Sequence, residues 1–176
     1  MRNEIEIPDG VEAEIQKNKL ILKGKAGENF REFNLGKINF EKKDKKIILS
    51  CEKATKKEKR IINTSAAHIK NMIKGVQNKF EYKLKVCSSH FPITVKMEGN
   101  TAIIKNFLGE KVDRKVELPK NAEVKIEKDL IAVFSIDKET AGQAAANLEK
   151  ATNIRGRDKR VFQDGIYIIN KSGREI

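Results

Sequence analysis

The chain contains no tryptophan, two tyrosines, two cysteines, two histidines and three prolines in 176 residues. No apolar run approaches the roughly 20 residues of a membrane-spanning helix, so no membrane partner is expected. Cys51 and Cys87 stand apart without C-x-x-C spacing. Neither a disulfide framework nor a zinc site is indicated, and a reducing compartment is expected. The start, Met1-Arg2-Asn3-Glu4-Ile5-Glu6, has no apolar core of signal-peptide length, which predicts a soluble, cytoplasmic protein. His68 falls in a helical pattern and His90 in a short polar linker, and neither adjoins a nucleophile motif. No glycine-rich phosphate loop and no His, Cys and acid cluster of metal-ligand spacing is present. The expectation is a protein without catalytic residues, metal or cofactor. Aromatic residues are few, with no RNP-like platform and no K-homology GXXG loop, which argues against the reading of splayed bases. No helix-turn-helix or zinc-finger pattern argues for DNA.

Positive charge is what the chain has in excess. It carries 37 Lys and Arg against 25 Asp and Glu, a net charge of +12 with a pI near 9.6. Such a balance attracts a polyanion over a Debye length, and nucleic acid is the commonest one. Lysine-rich solvated faces are common, so the distribution is more informative than the total. Residues 1–86 hold 21 basic and 12 acidic groups, and residues 87–176 hold 16 and 13. Within the second half, Arg155-Gly156-Arg157-Asp158-Lys159-Arg160 contributes four basic groups and one acid, so the rest of that half is neutral.

The chain also repeats itself. Ile7-Pro8-Asp9-Gly10-Val11 matches Phe91-Pro92-Ile93-Thr94-Val95 at an offset of 84, Asn18-Lys19-Leu20 matches Asn100-Thr101-Ala102 at 82, and Ile47-Ile48-Leu49 matches Leu130-Ile131-Ala132 at 83. Each copy begins with short alternating runs bounded by Gly, Asn, Asp and Pro, as antiparallel hairpins are. Later in each copy comes a helical stripe: Ile62, Ala66, Ile69 and Ile73, then Ala141, Ala144, Ala145, Leu148 and Ala151. Both stripes are expected to cover the apolar face of a sheet. A further apolar strand is expected to close each copy, Phe80 to Val86 in the first and Ile166 to Ile169 in the second. The predicted fold class is α+β: two tandem duplicated domains, residues 1–86 and 87–176, each a small, mostly antiparallel sheet packed against one helix.

Three places could meet a polyanion. Arg155, Arg157, Lys159 and Arg160 occupy a loop between helix and strand, where guanidinium forks take phosphate oxygens in pairs, and Gly156 allows close backbone approach. Asn106-Phe107-Leu108-Gly109-Glu110-Lys111 combines a glycine turn and an outward-looking Phe-Leu pair with Lys111, Arg114 and Lys115 nearby; a hairpin turn with an inward Phe fits the same residues. The third is a set of lysines, Lys42, Lys43, Lys45 and Lys46 together with Lys53, Lys56, Lys57, Lys59 and Arg60, which suits solvent as well as RNA.

With those residues in view, the chain resembles the L-six family of large-subunit ribosomal proteins in its archaeal and eukaryotic form. The resemblance spans essentially the whole length. Its strongest parts are Gly142-Gln143-Ala144-Ala145-Ala146-Asn147 and the run Arg157-Asp158-Lys159-Arg160-Val161-Phe162-Gln163-Asp164-Gly165-Ile166-Tyr167, then Asn106 to Lys111 and Asn71 to Val76. It differs from the bacterial branch, whose final loop reads Tyr-Lys-Gly-Lys-Gly. The resemblance implies a structural constituent of the large subunit that binds large-subunit rRNA near the stalk base and the sarcin-ricin loop, beside other ribosomal proteins and close to docked translation factors. It implies no obligate homo-oligomer. The RNA-contacting residues would be Arg155, Gly156, Arg157, Lys159, Arg160, Asn106, Lys111, Arg114 and Lys115, with Lys171 and Arg174 reaching RNA from the tail. Two rivals are a free-standing basic RNA-binding regulator and a small-molecule enzyme built on Cys87 and His90.

Overall fold

The computed structural model describes residues 1–52 and 54–176, in two compact units: Met1–Lys79 with Ile136–Lys138, and Phe80–Ser135 with Glu139–Ile176. Lys53, one of the lysines named above, lies outside the described residues.

In the first unit the alternating runs become hairpins because a residue with positive φ stands between them. β1 (Arg2–Glu6), β2 (Glu12–Gln16), β3 (Lys19–Gly24), β4 (Gly27–Glu32), β5 (Asn39–Lys43) and β6 (Lys46–Ser50) form two antiparallel sheets, ordered β1-β6-β5 and β2-β3-β4. Lys17 (φ 54°) turns β2 into β3, and Asp44 (φ 50°) turns β5 into β6. Helix α1 (Lys56–Gln77) begins at Thr55, whose side chain forms a capping box with Glu58. The predicted stripe Ile62, Ala66, Ile69 and Ile73 is buried and shares one core with Leu20, Leu22, Ile47 and Leu49.

The end of α1 is held by the turn after β3. The carbonyl of Val76 accepts the Ala26 N–H at 2.8 Å, and this brings Gly24 so close that a Cβ there would stand 2.5 Å from the same oxygen. Backbone cannot retreat as a side-chain tip can. We expect Gly24→Ala to destabilise the protein by about 1–3 kcal/mol, the usual range for overpacking, measured as a lowered urea midpoint.

The second unit repeats the plan and extends it. β7 (Phe80–Cys87), β8 (Thr94–Glu98), β9 (Thr101–Lys105), β10 (Arg114–Glu117), β11 (Glu123–Glu127), β12 (Leu130–Ser135), α2 (Lys138–Ala151), β13 (Gly165–Lys171) and β14 (Arg174–Glu175) form sheets ordered β10-β9-β8 and β11-β12-β7-β13-β14. Gly99 (φ 60°) and Lys128 (φ 51°) make the same two turns as Lys17 and Asp44. Ala141, Ala144 and Ala145 are fully buried beside Leu148. Side chains this small let the backbone of α2 lie close to the core formed by Leu84, Ile104, Ile131 and Ile166.

The α+β class, the two copies and the antiparallel pairing are as expected, with two sheets in each copy where one was expected. The strand of residues 80–86 differs from expectation. It does not close the first copy; as β7 it opens the second. It pairs antiparallel with β12, placing Leu84 opposite Ile131, just as β1 pairs antiparallel with β6. The compact units accordingly divide at Lys79 and Phe80, not after residue 86. Its other edge bonds to β13, with Val86 opposite Ile166, and among the described residues no strand of the first sheets occupies the matching place beside β1. The chain between α2 and β13 therefore belongs to the second copy alone, and it carries Arg155 to Arg160.

Candidate nucleic-acid interface

The loop between α2 and β13 is pinned at both feet and exposed along its crest. At one foot Thr152, 3% exposed, donates its hydroxyl to Glu149 O (3.1 Å) and accepts Ile166 N–H (2.8 Å), tying the end of the helix to the strand it precedes. At the other foot Asp164 is 1% exposed. Its Oδ1 accepts the backbone N–H groups of Ser89 and of His90, the latter at 3.0 Å, and its Oδ2 lies 2.5 Å from His90 Nδ1. Burial pushes this carboxyl up, but the donors of His90 and Ser89 outweigh it and hold Asp164 below the usual carboxylate range.

Along the crest, Arg155, Arg157, Asp158, Lys159 and Arg160 are all exposed. Gly156 (φ 70°) has open space on the side a Cβ would take, so it supplies the left-handed turn without filling the approach. Asp158 shapes the descent from the crest: its carbonyl accepts Phe162 N–H at 2.9 Å, and its carboxylate takes Arg160 N–H at 2.9 Å and Arg160 Nη2 at 2.8 Å. Those bonds from Arg160 hold the Asp158 carboxyl below its ordinary value. Arg157 lies with its guanidinium carbon 4.9 Å from the Phe162 ring centroid, and His90 stacks on that ring at 4.8 Å. Among the described residues, neither Arg155 nor Lys159 has an ion-pair partner.

The second predicted place folds against the first. Phe107 is 1% exposed, so the inward reading of that turn is the one realised. Asn106 (φ 57°) and Leu108 (φ 50°) flank it in left-handed conformations that cost a non-glycine residue on the order of 1–2 kcal/mol each. The buried ring and a bond from Asn106 Nδ2 to Pro92 O (3.1 Å) hold them there.

Arg114 differs from its expected role as a free cation. Its Nε and Nη2 clasp the Glu110 carboxylate at 2.7 and 2.5 Å, its Nη1 donates to Ala151 O at 2.6 Å, and its plane lies 4.2 Å over Phe107. It bolts the 106–114 turn to the end of α2. The Glu110 carboxyl is lowered, chiefly by the Arg114 hydrogen bonds and further by the charge of Arg157. Segments 88–92, 106–114 and 152–164 thus converge within the second unit. Lys111 stands exposed on this face, and Lys115 is exposed on β10 opposite Ile103.

Not every predicted residue joins them. Lys171 and Arg174 face each other across the β13–β14 turn, six residues from Gly165. That places them about 20 Å along the strand from the loop. In the first unit, the lysine run is largely engaged by its own neighbours: Lys42 donates to Ala13 O at 2.8 Å, Lys43 lies 3.7 Å from Glu41, Lys45 pairs with Asp9, and Lys46 lies 3.5 Å from Glu4. Exposed ion pairs of this kind add little stability, but they offset charge that would otherwise meet RNA.

The sequence pattern did not single out Asp164 and Phe162 as contributors. Both sit inside the run Arg157 to Tyr167 that carries the resemblance, and an acid beside a glycine at the head of an apolar strand was the available signal. Among the described residues, no group of His, Cys, Asp and Glu is arranged to hold a metal ion, and no helix is long and apolar enough to cross a membrane.

A family model described as ribosomal protein L6 matches the chain twice, over residues 7–79 and 91–165, once for each copy. The large ribosomal subunit protein uL6 of Methanobrevibacter smithii is 44% identical over 171 residues, covering 97% of this chain and 96% of that protein. The second match ends at Gly165, where the pinned loop becomes β13. With both copies matched and nearly the full length aligned, the chain belongs to the ribosomal protein L6 family.

Proposed function

We propose that this protein is a non-enzymatic structural constituent of the large ribosomal subunit, holding large-subunit rRNA through the loop of residues 155–160. Its place would be near the stalk base and the sarcin-ricin loop, among other ribosomal proteins of the cytoplasmic particle and close to docked translation factors. It would act as a single copy. One observation carries the reading: a loop with net charge +3, present only in the second copy, stands exposed on two pinned feet. Pinned feet spare the entropy of ordering a loop on binding, and the guanidinium groups of Arg155 and Arg157, unlike that of Arg160, meet phosphates without first losing a carboxylate partner.

The mechanism is positioning. Lys111 adds a second cationic point from the 106–114 turn, which Arg114 fixes by holding Glu110 and Ala151 O. Lys171 and Arg174, about 20 Å away along β13, would reach a separate stretch of backbone. We expect the tagged chain, expressed in cells, to co-sediment with large subunits in near-stoichiometric amount on a sucrose gradient. Recovery in the light fractions with undiminished affinity for free RNA would favour a free-standing RNA-binding regulator instead.

A further inference from the structure

His90 is placed as a ligand-binding side chain is placed, and nothing in the fold explains its outer nitrogen. Asp164, almost wholly buried, takes Nδ1 at 2.5 Å and the His90 backbone N–H at 3.0 Å, which fixes both the ring and the chain that carries it. The Phe162 ring stacks on the imidazole at 4.8 Å with an interplanar angle of 26°. Nε2 has no hydrogen-bond partner among the described residues, and the side chain keeps 34% of its surface in solvent. Arg157 lies on the same Phe162 ring.

We propose that His90 Nε2 and the Arg157 guanidinium form one phosphate-binding site, for a backbone phosphate of the RNA, and that the site is filled only when the imidazole is protonated. This rests on the rRNA-binding reading above. The proton requirement comes from the hydrogen-bond inventory. The Asp164 carboxylate can only accept, so Nδ1 carries the hydrogen it donates. In the neutral ring Nε2 is then a lone pair, which cannot bond a phosphate oxygen that is itself only an acceptor. Protonation turns Nε2 into a donor and adds the charge that phosphate attracts. Binding therefore takes up a proton, and affinity falls as pH rises.

The charged and titratable groups around the ring are few. Asp164 contacts it directly, Arg157 approaches over Phe162, and Glu110, clasped by Arg114, lies within the field of Arg157. Tyr167 is shifted upward first by burial and then by Cys87, Asp164 and Glu149.

The test is binding of the full chain, as wild type and as His90→Gln, to a transcript of large-subunit rRNA containing the sarcin-ricin loop. It is run at constant ionic strength between pH 5.5 and 7.5. Wild-type affinity is expected to fall about tenfold across this range, and that of His90→Gln to stay nearly flat. Equal pH dependence in the two proteins overturns the proposal. Failure of both to bind at any pH overturns the rRNA reading beneath it. NMR of the wild type covers the case of a poorly folded variant: RNA should raise the titration midpoint of His90 and leave that of His68 unmoved. An unmoved His90 midpoint is equally fatal.

Discussion

Replacing Arg155, Arg157, Lys159 and Arg160 together by alanine is expected to lower affinity for large-subunit rRNA by about a hundredfold or more at moderate salt, with the fold intact. Each phosphate neutralised by a cation releases counterions, and the logarithm of affinity falls with the logarithm of salt by about 0.9 per contact on duplex. Four cations are removed, but Arg160 spends its Nη2 on Asp158 at 2.8 Å, and that pair is close to neutral. The slope should flatten by about 3, one contact each from Arg155, Arg157 and Lys159. Arg160→Ala alone should have the smallest effect of the four. All these side chains are exposed, so the thermal midpoint should hold nearly constant. A variant that melts as the wild type does and keeps its salt slope would remove this loop from the interface.

Asp164→Ala is expected to act in the opposite way, on stability first. The carboxylate, 1% exposed, accepts from two backbone N–H groups and one imidazole nitrogen, and alanine leaves those donors without a partner where water has poor access. Each orphaned donor costs about 1–3 kcal/mol; since Ser89 and His90 are themselves exposed, water recovers part of this, and a total near 3 kcal/mol is expected. The readout is the urea midpoint at unchanged slope. The pH dependence has a definite sign. The Asp164 carboxyl is lowered in the folded state, because the donors outweigh burial. Its contribution is fully present above the unfolded carboxylate value, about 3.9, and is lost as pH falls through the lower folded value. Wild type should therefore shed stability below about pH 4, and Asp164→Ala should lack that portion of the loss. Equal midpoints for the two proteins at neutral pH would refute the assigned role.

Much of the fold was legible in the chain because each element announced itself locally. Asn18 and Asn100 marked matching turns, and the residues before them, Lys17 and Gly99, both adopt positive φ. The stripes on α1 and α2 face the cores they were expected to face. The allegiance of Phe80 to Val86 was not legible. An alternating strand looks the same whichever sheet receives it, and only its partners, Leu130–Ser135 and Gly165–Lys171, identify β7 as the start of the second copy. The site was half legible for a similar reason. Arg155 to Arg160 is visible as charge, whereas the pin between His90 and Asp164 spans 74 residues and needs the fold to bring it together. Arg114 read as a free cation because a charge in a sequence does not show whether Glu110 has already taken it.

The position of β7 bears on how the protein is made. Its partners on either side, β12 and β13, begin 43 and 78 residues after Cys87, so both edges of this strand stay open while much of the second copy is still being synthesised. An apolar strand with two free edges invites pairing with another chain. Lys83 and Lys85, exposed between the buried Tyr82, Leu84 and Val86, give the waiting strand a charged face that discourages such pairing. Only when Gly165 to Lys171 arrives does the second edge close, and the same event clamps Asp164 onto Ser89 and His90. The shape of the cationic loop thus depends on the same pairing that closes the second edge of β7.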